Sequence, residues 1–154
     1  MTLNKNTFIG EYSYTVDSKG RLNIPSKFRG SLSKDNKNSL VITRGMDKCV
    51  WVYPLVIWKS IEDELRKLSS LSSVNRSFIR NTVRHASIVK LDKQGRIALN
   101  QNIITFSSIS KNALIIGMVN KIEIWNPSYL TNIDDGFNKI DSSQFDDLSN
   151  KIIL

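Results

Sequence analysis

Reactive side chains are scarce in this chain: 154 residues contain one cysteine, Cys49, and one histidine, His85. A lone cysteine excludes an internal disulfide, and Cys49, between Lys48 and Val50 at the start of a strand-like run, reads as a small buried residue. A catalytic thiol needs a base, and nothing in the sequence links His85 to Cys49. A metal site needs partners that His85 lacks, so it reads as the residue leading into a strand. There is no glycine-rich phosphate loop, no metal-ligand cluster and no nucleophile beside a base. The carboxylates of the body are scattered, without an acid–base pair. These absences argue against an enzyme and lead us to expect no catalytic residue, no metal and no cofactor. No apolar run approaches the length needed to cross a bilayer, so no membrane partner is expected. The first six residues, Met1 to Asn6, lack the apolar core of a signal peptide. Together with the missing disulfide, this points to the cytoplasm.

What the chain does have is positive charge. Lys and Arg number 22 against 14 Asp and Glu, a formal net charge of +8. Asp134, Asp135, Asp141, Asp146 and Asp147 crowd toward the C-terminus, so the preceding body is more basic still. Such a body suits a polyanion, usually nucleic acid, although solubility alone also accounts for surface charge.

It also has a repeat. Asp17-Ser18-Lys19-Gly20-Arg21 returns as Asp92-Lys93-Gln94-Gly95-Arg96, each copy set between two apolar runs. Tyr12, Tyr14 and Val16 alternate with Glu11, Ser13 and Thr15, the period of a half-buried strand. Gly20 supplies the positive φ of a tight turn, and Asp17 can accept hydrogen bonds from the turn's N–H groups. The return strand Arg21-Leu22-Asn23-Ile24 leads to Pro25, a good start for a short helix with Phe28 and Leu32 facing inward. In the second half Ser87 to Leu91 and Arg96 to Leu99 play the same parts, and Asn100 caps the next helix. Each half then adds a further strand pair, around Gly45-Met46 in the first and Gly117-Met118 in the second.

The halves are joined by helices. Ile57, Ile61, Leu65 and Leu68 recur at helical spacing, Ser69 to Ser73 interrupts, and a second helix runs from Val74 to about Arg84. Arg76, Arg80 and Arg84 form an exposed basic stripe on it, read as a solvated face or a subunit contact before a DNA contact. Trp51, Trp58 and Trp125 read as core or interface residues. This gives a first unit over 7–54, a helical connector over 55–85, a second unit over 86–130 and a polar acidic tail over 131–154. The tail is either weakly ordered or a short docking helix.

Taken in order, Phe8-Ile9-Gly10-Glu11-Tyr12, Asp17 through Arg29, Thr43 through Pro54, Leu91 through Ile97 and Ile122-Glu123-Ile124-Trp125 strongly resemble the bacterial MraZ family over roughly residues 7 to 130. The resemblance implies an α+β fold: a tandem-repeat, swapped-hairpin, AbrB/SpoVT-like β-barrel with connecting helices. It further implies a ring-shaped homo-oligomer that controls transcription of the division and cell-wall gene cluster, bound to promoter direct repeats in double-stranded DNA on the nucleoid. The second half departs from the family pattern, since Leu99-Asn100-Gln101-Asn102 has neither the proline nor the nearby basic residue.

The candidate DNA contacts are Arg21, Lys19, Arg96, Lys93 and Lys27. The fork of an arginine can donate two hydrogen bonds to one guanine edge in the major groove, whereas lysine meets phosphate as a point charge. With fewer cations around it, Arg96 ranks below Arg21. The plain alternative is that Asp17–Arg21 and Asp92–Arg96 are ion pairs within hairpins that bind nothing. The competing function is a non-enzymatic interaction scaffold, which the acidic tail keeps open.

Overall fold

The computed structural model describes residues 5–136 and 142–152. Residues 1–4 of the polar N-terminus, 137–141 of the expected tail (with Lys139 and Asp141) and 153–154 lie outside the described residues.

The repeat is visible in the order of elements. The first half runs β1 (Glu11–Thr15), β2 (Arg21–Asn23), α1 (Ser26–Ser31), β3 (Ser39–Arg44) and β4 (Val50–Pro54). Two helices follow, α2 (Leu55–Arg66) and α3 (Ser73–Val83). The second half repeats with β5 (Ser87–Lys90), β6 (Arg96–Ala98), α4 (Gln101–Ser107), β7 (Asn112–Gly117) and β8 (Ile122–Trp125). Helices α5 (Pro127–Gly136) and α6 (Ser142–Lys151) close the chain. Asn100 caps α4, its Oδ1 accepting from the Ile103 N–H at 2.9 Å. Pro25 stands one residue earlier than expected, in the cap position of α1.

The strands pair between halves as much as within them. Six form an antiparallel sheet in the order β1-β7-β8-β4-β3-β5. Strand β1 of the first half lies against β7 of the second, with Tyr12 opposite Ile115. Reciprocally, β5 of the second half lies against β3 of the first, with Val89 opposite Leu40. At the centre β4 meets β8, with Val52 opposite Ile122. The return strands β2 and β6 leave this sheet and pair with each other as a separate two-stranded ribbon. The expected closed barrel is therefore corrected. β1 and β5 are the two ends of an open sheet, because the strands that follow them turn away to pair with one another.

One apolar core spans both halves. Leu22 and Ile97, opposite each other beneath the ribbon, are 0% and 1% exposed and belong to the same cluster as Leu40, Val52, Ile115 and Ile122. Burial of this shared surface holds the halves together, since the main cluster draws its residues from both. On the other side of the sheet Val41, Tyr53 and Trp58 form a smaller cluster under α2. Trp58 and Trp125 are buried as expected, while Trp51 is half-buried. The buried carboxylate of Glu123 accepts from the Trp51 and Trp125 indoles, both at 2.9 Å. The polar loop after α1 hides one structural residue, Asn36. It is fully buried, its Nδ2 donating to Asn6 Oδ1 at 2.7 Å and its Oδ1 accepting from the Val56 N–H at 3.0 Å.

Candidate nucleic-acid interface

Both Asp-x-x-Gly-Arg turns adopt the same closed geometry. In the first, Asp17 Oδ1 accepts from the N–H groups of Lys19 and Arg21, each at 2.9 Å. In the second, Asp92 Oδ1 accepts from the N–H groups of Gln94 and Arg96, again at 2.9 Å. Gly20 and Gly95 hold φ of +76° and +77°, the left-handed conformation that the sequence placed there. Each glycine carbonyl then crosses to the other half: Gly20 O accepts from the Leu99 N–H at 2.8 Å, and Gly95 O from the Ile24 N–H at 3.0 Å.

The turns aim their arginines along the ribbon. Arg21 Nε donates to Asp17 Oδ2 at 2.7 Å, and Arg96 Nε to Asp92 Oδ2 at 2.8 Å. The ion pairs weighed above as the plain alternative are thus present, and each uses the Nε edge of its guanidinium. Both carboxyls titrate below the ordinary carboxylate range. The largest cause is the backbone N–H of Arg21 for Asp17 and of Arg96 for Asp92; partial desolvation opposes it, and the arginine side chains reinforce it. Ionised Asp17 and Asp92 act as fixed clamps on the arginine stems.

Register brings the two arginines onto one face. Arg21 lies opposite Ala98, and Asn23 opposite Arg96. Arg21, Asn23 and Arg96 therefore share the face turned away from buried Leu22 and Ile97. The Arg96 guanidinium also reaches Asp17, Nη1 to Oδ2 at 3.7 Å, so one carboxylate lies between both arginines. The arginine side chains are 35% and 21% exposed, less for Arg96 because two acids hold it.

The lysines take different places. Lys19 and Lys93 are exposed within the two turns, which the antiparallel register puts at opposite ends of the ribbon. Lys27 is exposed on α1, outside the ribbon. Its neighbour Arg29 is fixed, with Nε donating to Ile24 O at 2.9 Å and the guanidinium against Gly95. Sequence reasoning did not single out Asn23. Its place two residues from Arg21 on a strand was the available signal, and its Nδ2 donates to Gln94 O at 3.2 Å across the ribbon.

The scarce reactive groups lie elsewhere. Cys49 is fully buried, and desolvation, then the charge of Glu123, pushes its thiol far above the usual range. Such a thiol carries almost no thiolate. His85 titrates below its ordinary range through desolvation and then the charges of Arg44 and Arg84. Among the described residues no group of acids, cysteine and histidine is arranged to hold a metal ion, and no helix is long and apolar enough to cross a membrane.

A two-stranded antiparallel ribbon with two arginines and an asparagine on one face, and a lysine at each end, is of a size that the DNA major groove admits. Comparison with known proteins bears on that geometry. The sequence profile of the family described as "MraZ protein, putative antitoxin-like" matches residues 7–81 and again 82–148. Among relatives, a protein of Clostridium acetobutylicum named "Transcriptional regulator MraZ" is 44% identical over 119 residues, covering 77% of this chain and 81% of the relative. A protein of the same name from Natranaerobius thermophilus is 37% identical over 146 residues, covering 95% and 96%. One from Clostridium tetani is 40% identical over 119 residues, covering 77% and 81%.

Proposed function

Because the chain belongs to the MraZ family, we propose that it is a transcriptional regulator, not an enzyme, that reads double-stranded DNA through the β2–β6 ribbon. The observation that carries this reading is the convergence of Arg21 and Arg96, one from each half, on the ribbon face turned away from the core, where both are half-buried. Their Nε edges are held by aspartates; the terminal nitrogens of Arg21 and Nη2 of Arg96, whose Nη1 lies 3.7 Å from Asp17 Oδ2, are the groups that donate to a guanine edge. Lys19 and Lys93 at the ends of the ribbon meet phosphates, and Lys27 on α1 adds a further phosphate contact. Both hairpins of one subunit act together, since they form one element.

The exchange of strands between halves supports treating the tandem units as one swapped-hairpin body, with 7–54 and 86–130 as its repeats, 55–85 as connector and 131–154 as tail. A ribbon this short offers few contacts, so specific affinity needs several copies. A ring-shaped homo-oligomer presents the ribbon repeatedly, and direct repeats in a promoter present the matching sites, which raises effective concentration without new contacts. The target is the promoter of the division and cell-wall gene cluster, and the protein works in the cytoplasm on the nucleoid.

The test is a footprint and gel shift on DNA immediately upstream of this protein's own gene, with native mass of the free protein and a salt titration. Protection of spaced repeats, a multimer, and log affinity falling steeply with log salt are expected. A shallow salt slope without protected repeats favours the interaction scaffold instead.

A further inference from the structure

The two strands of the ribbon come from related units, yet they differ at one place. Leu22 lies opposite Ile97 at the middle, and a local two-fold through that pair exchanges Arg21 with Arg96 and Asn23 with Ala98. The arginines match. The other pair does not, since an asparagine stands opposite Arg96 and an alanine opposite Arg21. All four side chains lie on the face turned away from buried Leu22 and Ile97. Arg96 therefore has an amide beside it, and Arg21 only a methyl group.

The amide of Asn23 is held but not used up. Its Nδ2 donates to Gln94 O at 3.2 Å. That bond takes one of two N–H groups and leaves the second, with Oδ1, open among the described residues. The bond is not what closes the turn. The first turn has Ala98 at the related place and lacks such a bond, yet Asp17 accepts from its backbone at the same 2.9 Å as Asp92 does in the second. The amide is dispensable for the turn. What it adds is an oriented donor and acceptor next to an arginine.

That pair of groups has a definite match in the major groove. Adenine presents N7 as acceptor and N6–H as donor, which an asparagine amide meets with two bonds, as an arginine fork meets N7 and O6 of guanine. Alanine offers neither donor nor acceptor and touches only a thymine methyl. We propose that Asn23 is a specificity residue that reads an adenine beside the guanine taken by Arg96, and that the alanine at the related place gives each ribbon a single reading direction. This rests on the reading that the ribbon enters the major groove, and it names a further base that the ribbon selects. A reader with two-fold symmetry fits a palindrome. A ribbon that takes guanine at both ends and adenine at only one fits a site that differs from its own reverse complement.

Selection of sites from a randomised duplex pool by the full chain tests this, followed by gel shifts on single-base variants of the selected site. The wild type is expected to select a non-palindromic site with an adenine next to one of two guanines. Asn23→Ala should keep both guanine preferences and lose about five- to 150-fold of discrimination at the adenine. Ala98→Asn should gain a second adenine, next to the other guanine, so that its preferred site becomes palindromic. Asn23 is half-buried and Ala98 exposed, and circular dichroism checks that both variants fold; if Ala98→Asn does not, Asn23→Ala decides alone. The inference is overturned if the wild-type site has no adenine beside either guanine, or if Asn23→Ala weakens every sequence alike with the adenine preference intact, which would make the bond to Gln94 merely structural. It is equally overturned if folded Ala98→Asn adds no second adenine. In these cases retained guanine preferences leave the ribbon reading standing. A wild type that selects no sequence removes both.

Discussion

Asp17 of the first hairpin and Arg96 of the second approach to 3.7 Å across the ribbon, although they belong to different halves of the repeat. The same carboxylate oxygen takes the Nε–H of Arg21 at 2.7 Å. Asp17 is thus the point at which the two repeats are electrically joined, and Asp92, holding Arg96 at 2.8 Å, completes the set. The arrangement presents two arginines in fixed directions, so less side-chain freedom is lost when they meet a ligand.

The carboxylates make stability depend on pH in a defined direction. Both have folded-state pKa values below their ordinary 3.8. A depressed pKa contributes stability that is fully present above the unfolded value and is lost as pH falls through the folded one. Thermal unfolding of the wild type should therefore exceed that of Asp17→Asn/Asp92→Asn at neutral pH. The gap should hold down to about pH 4 and close below it. A gap unchanged down to pH 2 would show that the charge on these groups is not what clamps the hairpins.

Glycine at the turn is required by conformation and by space together. A Cβ on Gly20, at φ +76°, would stand 2.9 Å from Leu99 O, the backbone of the opposing half. Gly20→Ala should cost at least about 1–2 kcal/mol from the left-handed conformation alone, with the close approach added. Gly30 in α1 is the control, with nothing within 4 Å of its Cβ position and no positive φ. Gly30→Ala should be neutral or stabilising by up to about 1 kcal/mol. Urea unfolding of the two variants checks both signs.

Much of this was legible in the sequence, and the failures have a common cause. Period-two alternation located β1, and the Asp and Gly of each phrase located the tight turns, because both signals are local; the hairpin pairing expected across each turn is not made, since β1 pairs with β7, β5 with β3, and β2 with β6. Partner choice is not local. That Leu22 would lie opposite Ile97, and so put Arg21 and Arg96 on one face, depends on a register between halves that no window of sequence contains. The open sheet follows from the same pairing, since β2 and β6 choose each other and leave β1 and β5 as ends. Asn36 was unreadable for another reason: a buried asparagine satisfied by Asn6 and the Val56 N–H looks, in sequence, like any polar loop residue.

Separating the roles of the cations needs different measurements for arginine and lysine. Arg21→Ala and Arg96→Ala should each weaken binding to the proper promoter repeats by about five- to 150-fold, the range for losing a bidentate base contact. Arg21→Lys keeps the charge and loses the fork, so specific affinity should fall while affinity for unrelated DNA stays near wild type. Assembly, read by native mass, should be unchanged in all three. Equal losses on specific and unrelated DNA would demote Arg21 to a phosphate contact.

Lysine at the ribbon ends acts by charge alone, and salt reads charge. Each phosphate neutralised by a protein cation releases condensed counterions, so log affinity falls with log salt at roughly 0.9 per contact. Lys19 and Lys93 are exposed in turns at opposite ends of the ribbon, so each can reach a different phosphate when the ribbon lies in the groove. Lys19→Ala and Lys93→Ala should each reduce the slope by about one per ribbon engaged, and the double variant by their sum. The weakening should be the same on specific and unrelated sequences, because phosphate carries no base information. In a multimer bound to several repeats the change multiplies by the number of ribbons seated. The slope difference between wild type and Lys19→Ala therefore counts engaged ribbons, and comparing that count with the number of protected repeats shows whether every repeat takes one ribbon. If neither lysine variant changes the slope, the ends of the ribbon do not touch the backbone, and the proposed seating in the groove is wrong.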